Sequence, residues 1–262
     1  MHYLGSSYGY LIFSYEEHCL LVDVYIGTKV KPPKLPPNNN LGYFCGIGIL
    51  TAPLILASSR LLLFSRASMF QWQVGTNSWS EHPLDIGRER VYQIVSLKVD
   101  IFVTYALLRL YTIRLSPQFS MREVAFEREF SVFNTWLVVS GDMLLMVAQS
   151  LSFGGSDALF NSTFAVHRLT FSGEPAKWMK MEKMENRALF VSLDRRNPTF
   201  CCMSPERWGG KSNCIYFARL SADPDETWTA VKLGQPVPKR TVHPMFYSDL
   251  WVFPSLIYGS GQ

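Results

Sequence analysis

The chain has 262 residues, 48% hydrophobic and 18% charged, which excludes a disordered polypeptide and leaves room for one large or two small domains. Aromatic residues make up 14%, a proportion that favours strands and large buried side chains. The net charge is +4, and Lys29, Lys31 and Lys34 or the pair Arg195 and Arg196 are too small as clusters to track a phosphate backbone, so no nucleic-acid partner is expected.

In chain order, residues 8–14 read as a first strand and 19–25 as a second, with Glu16, Glu17 and His18 in the turn between them. Gly27 permits a reversal into residues 28–30, and a proline-stiffened loop runs from Pro32 to Asn40. Residues 41–57 are uncharged and mostly apolar, near the lower limit for a spanning helix. Gly42, Gly46, Gly48 and Pro53 weaken any helix there, so a buried strand pair and no membrane partner are expected. Strands follow near 61–64, 70–74 and Trp79; 91–96 and 100–104 form a hairpin, and 108–115 is the next strand. Residues 122–133 are the most charged portion and the one candidate for a helix or long loop. Gly141 and Asp142 turn a hairpin between 136–140 and 143–147. Residues 164–169, a turn with Gly173 and Pro175, and 178–181 repeat that layout. So do 214–218, a polar turn holding Ser221, Asp223, Pro224 and Asp225, and 228–233; a last apolar run covers 250–258.

Three tryptophans punctuate these units. Trp178 and Trp228 stand 50 positions apart, and Trp79 and Trp178 stand 99 apart. A period of about 50 residues built from short strands is the spacing of kelch-type propeller blades, each of which must stack on its neighbours to bury both faces. Short strands from end to end favour a sandwich, barrel or propeller over a βαβ fold. The expectation is therefore an all-β, kelch-like β-propeller of four-stranded antiparallel blades in a single domain, residues 1–262. The length allows roughly five blades, in a ring either complete or left incomplete and closed by 250–258 beside the N-terminal strand.

No residue pattern demands chemistry. Gly46 and Gly48 supply two glycines of a dinucleotide fingerprint, but Thr51 takes the third place and no helix follows. There is no Gly-x-Ser-x-Gly elbow. His2, His18, His82, His167 and His243 are scattered, and His167, inside an apolar strand, reads as a packed side chain. Asp194, Asp223, Asp225 and Glu226 sit at turns and would pair as acid and base only if distant blades bring them together. No catalytic residue, cofactor or metal is expected. Tryptophans at blade spacing are core anchors, whereas one in a loop is a candidate partner contact. The five cysteines, odd in number and without Cys-x-x-Cys, together with the lack of a signal peptide, favour buried free thiols in the cytoplasm or nucleus.

Several stretches resemble a large plant family. They are Ser7-Tyr8-Gly9-Tyr10-Leu11-Ile12, residues 25–36 and the 136–147 hairpin, followed by residues 164–169, 187–191 and above all Lys211-Ser212-Asn213-Cys214-Ile215-Tyr216-Phe217. The family is the F-box proteins with a KIB-type β-propeller, long labelled a domain of unknown function, and the likeness covers nearly the whole chain. It implies a non-catalytic propeller whose loops hold a protein, either a signalling kinase or a substrate of a cullin ubiquitin ligase. With the tryptophan spacing, it gives Trp79, Trp136, Trp178, Trp228, Asn213, Cys214, Tyr216 and Phe217 as structural blade positions, with the partner-binding residues unknown.

No F-box is found: Leu35 and Pro36 precede Pro37 and three asparagines, which cannot start its helix, so binding of the Skp adaptor is not expected. The chain then reads as a propeller-only protein or a truncated product. Val99 stands where the family has Gly at a hairpin tip, which predicts strain from a β-branched residue at positive φ; Ile26 in place of Thr before Gly27 is a milder change. The alternative reading is a propeller enzyme, glycosidase- or lactonase-like, with its site at the central channel. A chain that folds poorly and has no selected role is a third.

Overall fold

The computed structural model describes residues 1–36, 46–84, 86, 90–105, 109–126, 134–153, 160–171, 175–218 and 228–237. They form a five-bladed β-propeller of four-stranded sheets. The first contains β1 (His2–Ser7), β2 (Tyr10–Tyr15), β3 (His18–Asp23) and β4 (Lys29–Val30), and the second β5 (Ile47–Leu50), β6 (Arg60–Phe64), β7 (Ser68–Gln73) and β8 (Ser80–Pro83). The third contains β9 (Val91–Leu97), β10 (Asp100–Tyr105), β11 (Leu110–Arg114) and β12 (Ser120–Glu123). The fourth contains β13 (Asn134–Ser140), β14 (Met143–Phe153), β15 (Phe160–Thr170) and β16 (Lys177–Met181). In these four the chain runs from the innermost strand outward by antiparallel steps.

The fifth sheet corrects the expectation of uniformly antiparallel blades. It contains β17 (Arg187–Val191), β18 (Phe200–Met203), β19 (Cys214–Ala218) and β20 (Trp228–Lys232), in the spatial order β18-β17-β19-β20. The chain enters at the second position and steps inward to β18. The connection over residues 204–213 then brings it back to the third position from the end where β18 stops, beside the start of β17. β19 therefore lies parallel to β17, and the outer half of this sheet is inverted relative to the other four.

Apolar residues alternate along the strands and meet between sheets, which is where the core sits. One cluster joins the first and second sheets through Leu4, Ile12, Leu61 and Trp72, and another joins the second and third through Leu62, Phe64, Ile101 and Val103. Phe102, Leu137, Leu144 and Trp178 lie in the cluster between the third and fourth. Trp136, Phe164, Leu189 and Phe217 lie in that between the fourth and fifth. Among the described residues no such cluster joins the fifth sheet to the first.

Other expectations shift. The strand expected over 8–14 begins only at Tyr10, as β2, because Tyr8 (φ 49°) and Gly9 (φ 79°) are left-handed and turn the chain back from β1, a strand the expectation did not include. His18 begins β3 instead of lying in the turn. In the described part of 41–57, residues 46–57, the strand is β5, which pairs with β6 outside the run, and turns and bends follow it. No helix among the described residues is long and apolar enough to cross a membrane. Arg122 and Glu123 end β12 rather than starting a helix, because the strand pairs along β11. Residues 127–133, the turns at Gly173 and over 221–225, and the run 250–258 lie outside the described residues.

At the β9–β10 tip the left-handed residue is Lys98 (φ 57°) and not Val99, whose side chain stands in solvent. The strain expected at Val99 is absent; what strain the turn carries belongs to Lys98. Lys98→Gly is expected to stabilise the protein by up to about 1 kcal/mol, the relief of left-handed strain less the extra freedom of the unfolded chain. A higher urea midpoint at unchanged slope would show it; a lower midpoint would place the strain elsewhere.

Candidate functional site

The innermost strands β1, β5, β9 and β13, with residues 195–199 leading into the innermost strand β18, line an axial cavity of about 210 Å³. Two glycines set how closely the first two approach. A Cβ on Gly5 would lie 2.5 Å from the Gly48 carbonyl oxygen and 3.4 Å from that of Arg196, so at this point backbone packs on backbone.

The connection from β17 to β18 closes one end of the cavity and ties three other sheets to the fifth. Arg195 donates to the Thr135 carbonyl and to Asn134 Oδ1 (3.3 Å), and its guanidinium lies over the rings of Trp136 (5.3 Å) and Tyr92 (5.5 Å). Burial pushes its pKa down to about 10, which still leaves a cation at neutral pH, held by carbonyls and π-faces. Arg196 makes a two-pronged pair with Asp194 (2.9 and 2.6 Å), donates to the Tyr3 carbonyl (3.1 Å) and lies over the Tyr3 ring (5.3 Å). Burial pushes the Tyr3 phenol up to about 12.

Gln93 completes the network. Its Oε1 accepts the Leu137 N–H (2.7 Å) and its Nε2 donates to the Leu137 carbonyl (2.8 Å), so one side chain does for β9 and β13 what a strand pairing would do. Thr199 Oγ1 donates to the same carbonyl. These polar groups bind protein atoms and so hold the ring in register.

The cavity lining has no carboxylate and no histidine among the described residues. Asp194 binds Arg196, while Asp223, Asp225 and Glu226, the other carboxylates considered from sequence, lie outside the described residues. Nor do any three His, Cys, Asp or Glu side chains among the described residues lie close enough to hold a metal. Cys19, Cys201, Cys202 and Cys214 are free thiols, and burial raises the pKa of each, which makes them poor nucleophiles.

Of the positions singled out from sequence, Trp136 is the axial one. It stands on β13, 1% exposed, donates its indole N–H to the Ser192 carbonyl (2.7 Å) and meets Phe217 edge-on (5.3 Å). Phe217 stacks on Phe164 (5.6 Å) in the same cluster. Trp79 precedes β8 and Trp178 is near the start of β16, so both open the outermost strand of their sheets, level with the end of the innermost strand. Trp228 also opens an outermost strand, but the inversion of the fifth sheet puts it level with the start of the innermost one. The third sheet has Phe119 ahead of β12, with no tryptophan there, which is why Trp79 and Trp178 are two units apart.

Asn213 is left-handed (φ 57°). Its Oδ1 accepts from the Met184 N–H (2.9 Å), its N–H donates to the Arg187 carbonyl (2.8 Å), and its carbonyl accepts from Leu233 (3.0 Å). It starts β19 in register with both neighbours. Cys214 is buried between Ala188 and Lys232, and Tyr216 stacks on Phe190 (4.7 Å).

Sequence reasoning did not single out Gln93, Arg195, Arg196 or Trp208 for a role. A buried glutamine, and arginines that bind carbonyls, leave no pattern in one chain. Trp208, just ahead of Gly209 and Gly210, did carry the mark of a loop tryptophan.

The exposed apolar side chains have a side. Where each innermost strand ends and turns outward, an exit face is formed, and it also carries the connections from third to fourth strands. Tyr8, Tyr25, Ile26, Ile55, Val99 and Phe171 are exposed in these connections. In the fifth sheet Met203 ends β18, and Trp208 follows in the turn beyond it, 74% exposed. Single exposed apolar residues need no explanation, but most of those on the described residues gather at this one end.

The family described as KIB1-4 beta-propeller matches this chain over residues 1–247. No curated protein matches it.

Proposed function

Because the chain belongs to the KIB1-4 beta-propeller family, we propose that it is a non-catalytic, protein-binding propeller whose exit face takes the partner. The observation that carries this reading is the gathering of exposed apolar and aromatic side chains on that face, on connections anchored by rigid sheets. Among the described residues the axial cavity, by contrast, is lined by no carboxylate or histidine, and its Gln93, Arg195, Arg196 and Thr199 donate to the protein's own carbonyls, which speaks against a glycosidase- or lactonase-like centre. The likeness to substrate-holding propellers of ubiquitin ligases suggests a signalling kinase or a ligase substrate as the partner. Within this reading the blades are a variant of the kelch kind, with a tryptophan opening the outermost strand in three of the five.

The folded chain, immobilised, is expected to retain a protein saturably and in fixed stoichiometry, and the heat-unfolded chain is expected not to. The purified chain is expected to leave a panel of aryl glycosides and lactones unhydrolysed. Turnover of either class, or no protein retained, would overturn the proposal.

A further inference from the structure

We propose that Trp208 is the anchor with which the exit face grips an acidic protein segment that carries an apolar side chain. The inference rests on the protein-binding reading and gives it a contact and a partner chemistry.

The first ground is rigidity. Trp208 ends a single 3-10 turn, Pro205–Trp208, bracketed by left-handed Ser204 (φ 50°) and Gly209 (φ 76°). Five amides of this loop find partners nearby. The Ser204 N–H donates to the Asn186 carbonyl (2.7 Å), that of Gly209 to Glu206 (3.1 Å) and that of Gly210 to Pro205 (3.0 Å). The Lys211 N–H donates to Tyr216 Oη (2.7 Å), and the Tyr216 ring is itself stacked on Phe190. The Ser212 N–H donates to Glu206 Oε1 (3.1 Å). A Cβ on Gly210 would lie 3.1 Å from the Pro205 carbonyl oxygen and 3.2 Å from Tyr216 Oη, so the loop is as tight as glycine allows. The result is a large indole held out in water on a fixed base, with little ordering left for binding to impose. Tryptophan on such a base is the residue type most often found at the energetic centre of an interface.

The second ground is charge. Arg207, Lys211 and Lys232 are exposed around this loop, and none makes an ion pair among the described residues. The local carboxylate, Glu206, is engaged by Ser212, whose hydroxyl first and whose N–H (3.1 Å) hold its pKa below the ordinary range. A partner carrying carboxylates around an apolar side chain complements this surface: the apolar group meets the indole and Met203, and the acids meet the three cations. Three cations are too few to hold a nucleic-acid backbone.

The probe is an immobilised peptide library in which Leu, Phe or Trp is flanked by Glu and Asp, paired with the same library flanked by Lys. Purified full-length chain is expected to bind the acid-flanked set about tenfold better than the Lys-flanked set. Trp208→Ala, which should melt with the wild type because the side chain is in solvent, is expected to weaken that binding roughly thirtyfold. Arg207→Glu combined with Lys211→Glu is expected to reverse the preference. Equal binding of the two sets, tighter binding to phosphatidylserine vesicles than to any peptide, or Trp208→Ala within about twofold of wild type would each overturn the assignment. A partner retained by the folded chain, in the immobilisation experiment above, and held equally by Trp208→Ala would leave the broader reading standing without this anchor.

Discussion

Trp136→Ala is expected to remove about 5 kcal/mol of stability, the top of the range for a buried aromatic truncated to alanine. The indole is 1% exposed and fills the cluster between the fourth and fifth sheets. Its loss opens a cavity against Phe164 and Phe217, strips the Ser192 carbonyl of its donor, and takes the π-face from under the buried Arg195 cation. A buried acceptor left unpaired adds about 1–3 kcal/mol of its own where water cannot reach it. Against a total of roughly 5–15 kcal/mol for a typical domain, this is a third or more of the whole. Trp136→Phe keeps most of the packing and is expected to cost less than half as much. The check is the denaturant midpoint of both variants beside Trp208→Ala, which should sit within about 0.5 kcal/mol of wild type. Equal losses at positions 136 and 208 would mean that the exposed indole is structural.

Gly5→Ala is the second large effect, and it comes from one added methyl group. The new Cβ would lie 2.5 Å from the Gly48 carbonyl oxygen, and the obstacle is backbone, which has no rotamer to change. Relief requires β1 to move off β5 at the axis, where the Arg196 carbonyl, 3.4 Å from the same Cβ, leaves no room on the other side. We expect a loss of about 3 kcal/mol, the upper end for overpacking, seen as a fall in Tm on the order of 10 °C. A variant melting with wild type would show that these two strands stand farther apart than their backbones indicate.

The sequence made the strands legible and their arrangement less so. Runs such as 100–104 and 136–140 alternate and end in turn residues, so local chemistry alone places them. Four strands went unseen. His2–Ser7 holds a glycine and two serines, Ser120–Glu123 is a short, polar outer strand, Arg187–Val191 entered only through the family likeness, and Phe200–Met203 hides behind two cysteines. Outer strands bury little, so their pattern carries no hydrophobic signal. The inversion of the fifth sheet was invisible for a different reason. Strand order is decided by which edge a returning chain reaches first, and a Trp-to-Trp interval of 50 is silent about direction. The Asn213-Cys214-Ile215-Tyr216-Phe217 motif was recognised as structural, yet its task, starting a parallel strand, is visible only in the hydrogen bonds of Asn213. As for the candidate site, a tryptophan ahead of two glycines pointed to a loop, but its exposure comes from the tertiary fold.

Among the described residues, four junctions of the ring are sealed by oil, and the fifth, where Tyr3 meets Arg196, is sealed by charge and hydrogen bonds. Such a clasp answers to different solvents from the rest of the circle. Guanidinium chloride, whose cation competes for the Asp194 carboxylate, should unfasten it at concentrations at which urea of equal denaturing strength leaves it shut. The amides of His2–Ser7 would then exchange with deuterium ahead of those of Asn134–Ser140. A ring fastened in this way is expected to open at one place before its walls melt.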